Sequence, residues 1–374
     1  MKSVVDHLLD LIRIPSVSAL SNRPIIEYIE QVLLGAGWQA ERMPYRDAGN
    51  VEKINLIAAP ATESLLGAAE LVFVCHTDTV PYAGSWTTAL DPFIAEGMLY
   101  GCGACDVKGF LACLLTTLSE NTLSPWIDGL RLVFTADEEI GCVGAVQLLA
   151  ESRIKARRLV IGEPTSLHPA RAGKGYCLAE ITVFGQEAHS ALPQQGTSAI
   201  YVAARFISAI EAFAARLADE TNAFFTPGYT TLNVGTIRGG SAKNIIPGEC
   251  RFLVEWRPIP GQSPDIVPLA LTEIAEELCR SDPQFRYEIR PLRQQMGFET
   301  PADASLVRLI ETLTGRPATS IPFGSEASIF APVADEVIVF GPGDMRSAHS
   351  SRECIPLTEL EEAVACLQSL MRSA

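Results

Sequence analysis

An unbroken apolar run, Leu-Val-Phe-Val-Cys at positions 71–75, ends abruptly in the polar string His76-Thr77-Asp78. A run so short and so apolar is what a strand buried on both faces of a parallel sheet requires. Comparable runs recur at 130–134 and 159–161, with helix-length apolar stretches at 110–118 and 143–150 between them. Helical periodicity also predicts helices at 4–12 and 25–34. Strands alternating with helices predict an α/β fold, a mainly parallel sheet covered by helices on both sides.

The pattern changes after Pro169. Strands are expected at 176–185, 230–238, 249–257 and 285–291, and helices at 198–217 and 264–279. The order β-α-β-β-α-β is that of a ferredoxin-like α+β unit. The first pattern then resumes with a helix at 304–313, a strand at 336–340 and a closing helix at 357–371. The expected organisation is an α/β domain, residues 1–170 and 292–374, split around an insertion at 171–291.

Lys and Arg number 29 against 44 Asp and Glu, a formal charge of −15. That balance argues against nucleic acid as a partner and against an anionic membrane surface, both of which select clustered basic residues. No apolar run approaches the roughly 18 residues of a membrane span. Acids interrupt the N-terminal apolar stretch, so it reads as an amphipathic helix and not as a signal peptide. The ten cysteines show no tight framework, which suits reduced thiols and a cytoplasmic location. Cys102 and Cys105 form a CxxC pair, but a structural zinc site usually needs a second pair.

Candidate chemistry gathers where the predicted strands end, since sites in open parallel sheets form beyond the carboxyl ends of strands. His76 follows the first run, and Asp78 could hold its second nitrogen. Asp106 sits in the Gly-rich segment 101–109 ahead of an apolar helix; taken alone it would serve equally as an N-cap. Asp137, Glu138 and Glu139 follow the run at 130–134, where three adjacent acids repel unless water or a cation relieves them. Glu163 follows the run at 159–161, and His349 lies beyond the turn that begins Gly341-Pro-Gly. Together they offer a mixed nitrogen and oxygen ligand set suited to zinc, and also to cobalt or manganese. The set exceeds what one catalytic zinc uses, which favours two divalent ions sharing a carboxylate.

The segments HTDTVP at 76–81, GCGACDVKG at 101–109, ADEEIG at 136–141, GEPTS at 162–166 and GPG…AH at 341–349 resemble, in order, the motifs of the M20 family of di-zinc metallopeptidases and deacetylases. The resemblance covers essentially the whole chain, insertion included. It implies that Asp106 bridges two metals, with His76 and Glu163 completing one site and Glu139 and His349 the other. Asp78 would orient His76, Glu138 would be the general base for a metal-bridging water, and the Asp106–Val107 peptide would be cis. It also implies a homodimer in which the insertion acts as lid and dimerisation domain. His189 from that insertion would then reach the other subunit's site.

Within the family, segments 173–176, 231–235, 239–244, 257–261 and 324–327 resemble most the branch that removes acetyl from N2-acetyl-L-ornithine, giving ornithine and acetate for arginine biosynthesis. On that resemblance Asn244 and Arg257 would grip a substrate α-carboxylate, which favours Arg and amide donors, with Ser325 nearby. One departure stands at Ser350-Ser351-Arg352-Glu353, where that branch usually carries Asp-Glu. It leaves related N-acyl amino acid hydrolases open: succinyl-diaminopimelate desuccinylase, acetylcitrulline deacetylase, aminoacylase or dipeptidase.

Overall fold

Strand Ala69–His76 is buried along nearly its whole length, and so is its neighbour Leu130–Thr135. A computed structural model, describing residues 2–119, 127–282 and 284–373, places them mid-sheet. The order is Trp38–Arg46, Glu52–Pro60, Leu130–Thr135, Ala69–His76, Ala156–Gly162, Ala334–Phe340 and Ala170–Gly173. The central strands from Leu130–Thr135 to Ala334–Phe340 pair in parallel, and those at either side pair antiparallel. The sheet is thus mixed, with the expected parallel strands at its centre.

Trp38–Arg46 and Glu52–Pro60 have no counterpart in the sequence reading, for two physical reasons. Trp38–Arg46 is an edge strand with charged residues and Pro44 in its length, as edge strands often are. Glu52–Pro60 buries Lys53 and Asn55 among its apolar residues, which hides its apolar character.

Helices complete the first unit. Val4–Arg13 starts from a capping box between Ser3 and Asp6 and buries Val4, Leu8, Leu11 and Ile12 at helical spacing. Lys108–Ser119 is apolar all round and lies inside the core with the closing helix Leu357–Ser373.

Two compact units emerge. One comprises Met1–Ala172, Glu299–Thr319 and Ser325–Ala374; the other comprises Gly173–Phe298 with Ser320–Gly324. The inserted unit is therefore longer than 171–291. Its last long strand, Arg286–Gln295, runs past 291, and a later short segment joins it. Its sheet has the order Thr231–Gly239, Glu249–Arg257, Tyr176–Phe184, Arg286–Gln295, all antiparallel. Cys177, Ala179, Ile181 and Val183 alternate inward from Tyr176–Phe184 and share a core with Phe206 and Leu271 of helices Ala199–Leu217 and Ile266–Ser281.

Candidate metal centre

Parallel register fixes where the chemistry can sit. His76 lies opposite Thr135, and Gly162 opposite Phe340. The residues beyond these positions leave the sheet at one edge.

At that edge the imidazole Nε2 of His76 lies 3.1 Å from Asp106 Oδ1 and 4.0 Å from Glu163 Oε1. The other oxygen of Asp106, Oδ2, lies 3.1 Å from Nε2 of His349, which is also 3.3 Å from Glu139 Oε2. One carboxylate therefore faces two imidazoles, one through each oxygen. The ligand atoms of His76, Asp106 and Glu163, and those of Asp106, Glu139 and His349, lie within 4.8 Å of one another in each group. A divalent ion bonding each at about 2.0–2.2 Å closes such a span with small side-chain movements. Among the described residues the buried Oε1 of Glu139 has no hydrogen-bond partner, a defect that a cation would remove. The donor set and its spacing fit a pair of divalent ions sharing Asp106. The Asp106–Val107 peptide is cis, and His349 is held in the left-handed region at φ 54°.

The electrostatics agree with that fit. Burial, with the charges of Glu139, Glu326 and Asp106, pushes the Glu138 carboxyl up to about 8, against the pull of His76. Burial and the charge of Asp106 hold Glu163 well above the ordinary range. Burial opposes ionisation of Asp106, but its hydrogen bonds to His349 and His76 prevail and hold it far below that range. Hydrogen bonds from its ring to the Asp106 and Glu139 carboxylates push His349 up to about 10. Four acids so close together cannot all ionise opposite only two imidazoles, and bound dications would let them.

Asp78 plays a different part from that expected of its carboxylate. Nδ1 of His76 donates to the main-chain oxygen of Asp78 at 3.0 Å. The carboxylate oxygen is 3.6 Å away, too far for a hydrogen bond. That carboxylate instead accepts the Ser18 hydroxyl at 2.7 Å and the main-chain N–H groups of Glu138 and Glu139 at 3.1 and 3.3 Å. Asp78 thus fixes both the imidazole and the loop of acids.

The same loop is tied down by residues that sequence reasoning missed. Asp137, with φ 59°, accepts from Lys53 Nζ at 2.8 Å and from the Tyr45 hydroxyl at 2.9 Å. Lys53 also donates to the carbonyls of Ser18 and Leu20. Asn55 accepts from Ala136 N and donates to Gly144 O. A lysine and an asparagine two residues apart on one face of an otherwise apolar strand were the available signal. Glu326 is fully buried, and burial pushes it up to about 7.

Ser325, one residue earlier, is buried, and its hydroxyl accepts the Ala327 N–H at 3.3 Å. The other predicted residues belong to the inserted unit. His189 is exposed and pairs with Ile245 across a two-residue ladder. Its Nδ1 accepts the Ala191 N–H at 3.1 Å, which puts the neutral ring's proton on Nε2. Asn244 is exposed beside that ladder, its carbonyl accepting from Ser190 N at 3.0 Å. The Arg257 guanidinium stacks 3.7 Å from the Tyr176 ring centroid and bonds to Glu255 at 2.8 Å. None of the ten cysteines is in a disulfide, and among the described residues no helix is long and apolar enough to cross a membrane.

The sequence model of peptidase family M20/M25/M40 matches residues 72–373. An acetylornithine deacetylase from Myxococcus xanthus is 44% identical over 363 residues, spanning 96% of this chain and 94% of its own. A tripeptidase from Staphylococcus aureus shares the fold with TM-score 0.79 at 22% identity, covering 99% of this chain and 97% of its own. So does a dinuclear metal binding peptidase of the M20 family from Bacillus subtilis, with TM-score 0.70 at 14% identity over 98% and 96% of the two chains.

Proposed function

This chain belongs to peptidase family M20/M25/M40, and we propose on that footing that it is the hydrolase that removes acetyl from N2-acetyl-L-ornithine. The products are L-ornithine and acetate, and the setting is arginine biosynthesis in the cytoplasm. The observation that carries the chemistry is the Asp106 carboxylate shared between His76 and His349, at 3.1 Å from each. The choice of substrate is supported by similarity to the Myxococcus xanthus deacetylase over almost the full chain.

His76, Asp106 and Glu163 would hold one divalent ion, and Asp106, Glu139 and His349 the other. Zinc is the expected ion, and cobalt or manganese could replace it in this ligand set. When bound, such ions polarise the scissile carbonyl and make water acidic enough to attack near neutral pH. The chain's own residues do the rest. Glu138 accepts the proton of the attacking water on its carboxylate and returns it to the leaving α-nitrogen. Asp78 and Ser18 keep the Glu138 loop in place. Nε2–H of His189, supplied by the partner in a homodimer, donates to the developing oxyanion. Arg257 and Asn244 bind the α-carboxylate, Arg257 by exchanging its bond to Glu255 for the substrate.

The test is a panel of acyl amino acids on the metal-loaded protein. The highest kcat/KM is expected for N2-acetyl-L-ornithine. A preference for acetylcitrulline, N-succinyl-diaminopimelate, other acylated amino acids or dipeptides would replace that substrate while keeping the metal chemistry.

A further inference from the structure

Glu353 is 3% exposed and lies outside both groups of candidate ligands. Its side chain ends inside the Gly-rich turn that carries Asp106. Oε2 accepts the Gly103 N–H at 2.9 Å, and Oε1 accepts the N–H groups of Cys105 and Asp106, both at 3.0 Å. Its own carbonyl accepts the Gly101 N–H at 3.2 Å. Every one of these donors is main chain, so the contact depends on the path of the turn and not on its side chains. Gly103 has φ +78°, and a Cβ there would come within 3.0 Å of Thr79 and Lys108. The turn is thus compact and leaves its N–H groups converging on one anion.

Glu353 is also tied to His349. It lies four positions after that residue, and its N–H bonds to the Ser350 carbonyl at 3.0 Å. Strand Cys354–Pro356 then pairs with Met98–Tyr100, Cys354 opposite Tyr100, immediately before the same Gly-rich turn. Two stretches far apart in sequence, one bearing Asp106 and one bearing His349, are held together by this carboxylate, by the Glu353 carbonyl and by the strand pairing.

We propose that Glu353 is a positioning residue for the metal pair: it sets the spacing between Asp106 and His349 by gathering three main-chain N–H groups of the Asp106 turn. The proposal rests on the two-metal reading of the site. Glutamine has nearly the same shape, but its amide nitrogen would present a donor to a donor on one side of the turn. Aspartate keeps the charge but shortens the reach.

The experiment titrates metal-free wild-type, E353Q and E353D proteins with Co2+, following heat of binding and the visible d–d spectrum, with thermal melting alongside. Wild type should take up two Co2+ per chain; failure to do so sinks the two-metal reading and this proposal with it. E353Q is expected to bind Co2+ about 10–100-fold more weakly, the usual cost of losing a group that orients a ligand. Its d–d spectrum should be altered, and kcat should fall more than KM rises. If E353Q melts earlier yet binds both ions with wild-type affinity and spectrum, Glu353 only stabilises the fold and the proposal is overturned. Should E353Q not fold, E353D carries the same comparison: unchanged affinity and spectrum overturn the proposal, and weaker binding with a shifted spectrum supports it.

Discussion

The Asp78 carboxylate accepts the main-chain N–H of Glu138 at 3.1 Å. The residue beside the His76 imidazole therefore also sets the position of the proposed general base. Asp78→Asn would place an amide donor opposite the N–H of Glu138 or that of Glu139. Its effect is expected to exceed that of weakening one metal ligand, with kcat falling alongside metal affinity. Steady-state kinetics with metal analysis will show this; loss of metal alone, with normal kcat on reloading, would restrict Asp78 to the imidazole.

Glu138→Ala removes the proton carrier and no proposed ligand. A fall in kcat on the order of 10²–10⁴ is expected, the range for losing a general acid–base, with two metal ions still bound per chain. Metal content and turnover measured on one preparation decide it, and near-normal turnover would eliminate the role.

Stripping metal with a chelator should abolish hydrolysis, and adding back Zn2+ or Co2+ should restore it. The melting temperature should rise with metal concentration as well, because ligands that bind only the folded state stabilise it. Activity that survives complete demetallation contradicts the two-ion reading.

His189 and Glu138 can be separated between subunits. Glu138→Ala and His189→Ala homodimers should each be impaired, and mixed dimers made by refolding the two together should regain activity. One site in each mixed dimer would then combine an intact Glu138 with the partner's intact histidine. No recovery in verified mixed dimers would place His189 in its own subunit's site or outside catalysis.

Lys53 is 1% exposed and bonds Asp137 at 2.8 Å. Lys53→Met leaves the Asp137 carboxylate buried with Tyr45 as its remaining side-chain partner, and removing one member of a buried pair costs about 3–5 kcal/mol. Urea unfolding of the metal-free protein gives the value, and a loss well below that range would mean that the acid loop relaxes into water.

His7 offers a pH test remote from the metal ligands. It is buried, with Nδ1 2.8 Å from the Tyr28 hydroxyl. Burial, then the charge of Lys2, hold its pKa below the ordinary 6.5. The unfolded chain therefore takes up a proton at higher pH than the fold does. Stability is full above that unfolded value and declines as pH falls towards the folded pKa. His7→Gln should flatten this part of the profile in metal-free protein; parallel urea midpoints for both proteins across acidic pH would exclude the effect.

Much of this fold is legible because buried parallel strands leave continuous apolar runs, and the residues just past each run must lie at one edge of the sheet. That logic reaches His76, Glu138, Glu139 and Glu163 directly. Pairing Asp106 with His349 needed the resemblance, since no local pattern links residues so far apart. Lys53, Asn55 and Glu353 were not legible as parts of the site. Asn55 and Glu353 act on main-chain atoms of distant loops, which put no constraint on the identity of the residues touched, and Lys53 meets the Asp137 carboxylate from a strand far away in sequence. The strand Trp38–Arg46 escaped because an edge strand need not be apolar.

The order of the candidate ligands along the chain would set an order of assembly during synthesis on the ribosome. His76, Asp106 and Glu163 all precede the insertion, while His349 and Glu353 come after it. A nascent chain that has emerged only through the insertion possesses every donor of the first triad. It still lacks strand Ala334–Phe340, which flanks Ala156–Gly162, and the carboxylate that gathers the Asp106 turn. The second candidate group, which needs His349, therefore cannot form until the residues that follow the insertion have been made.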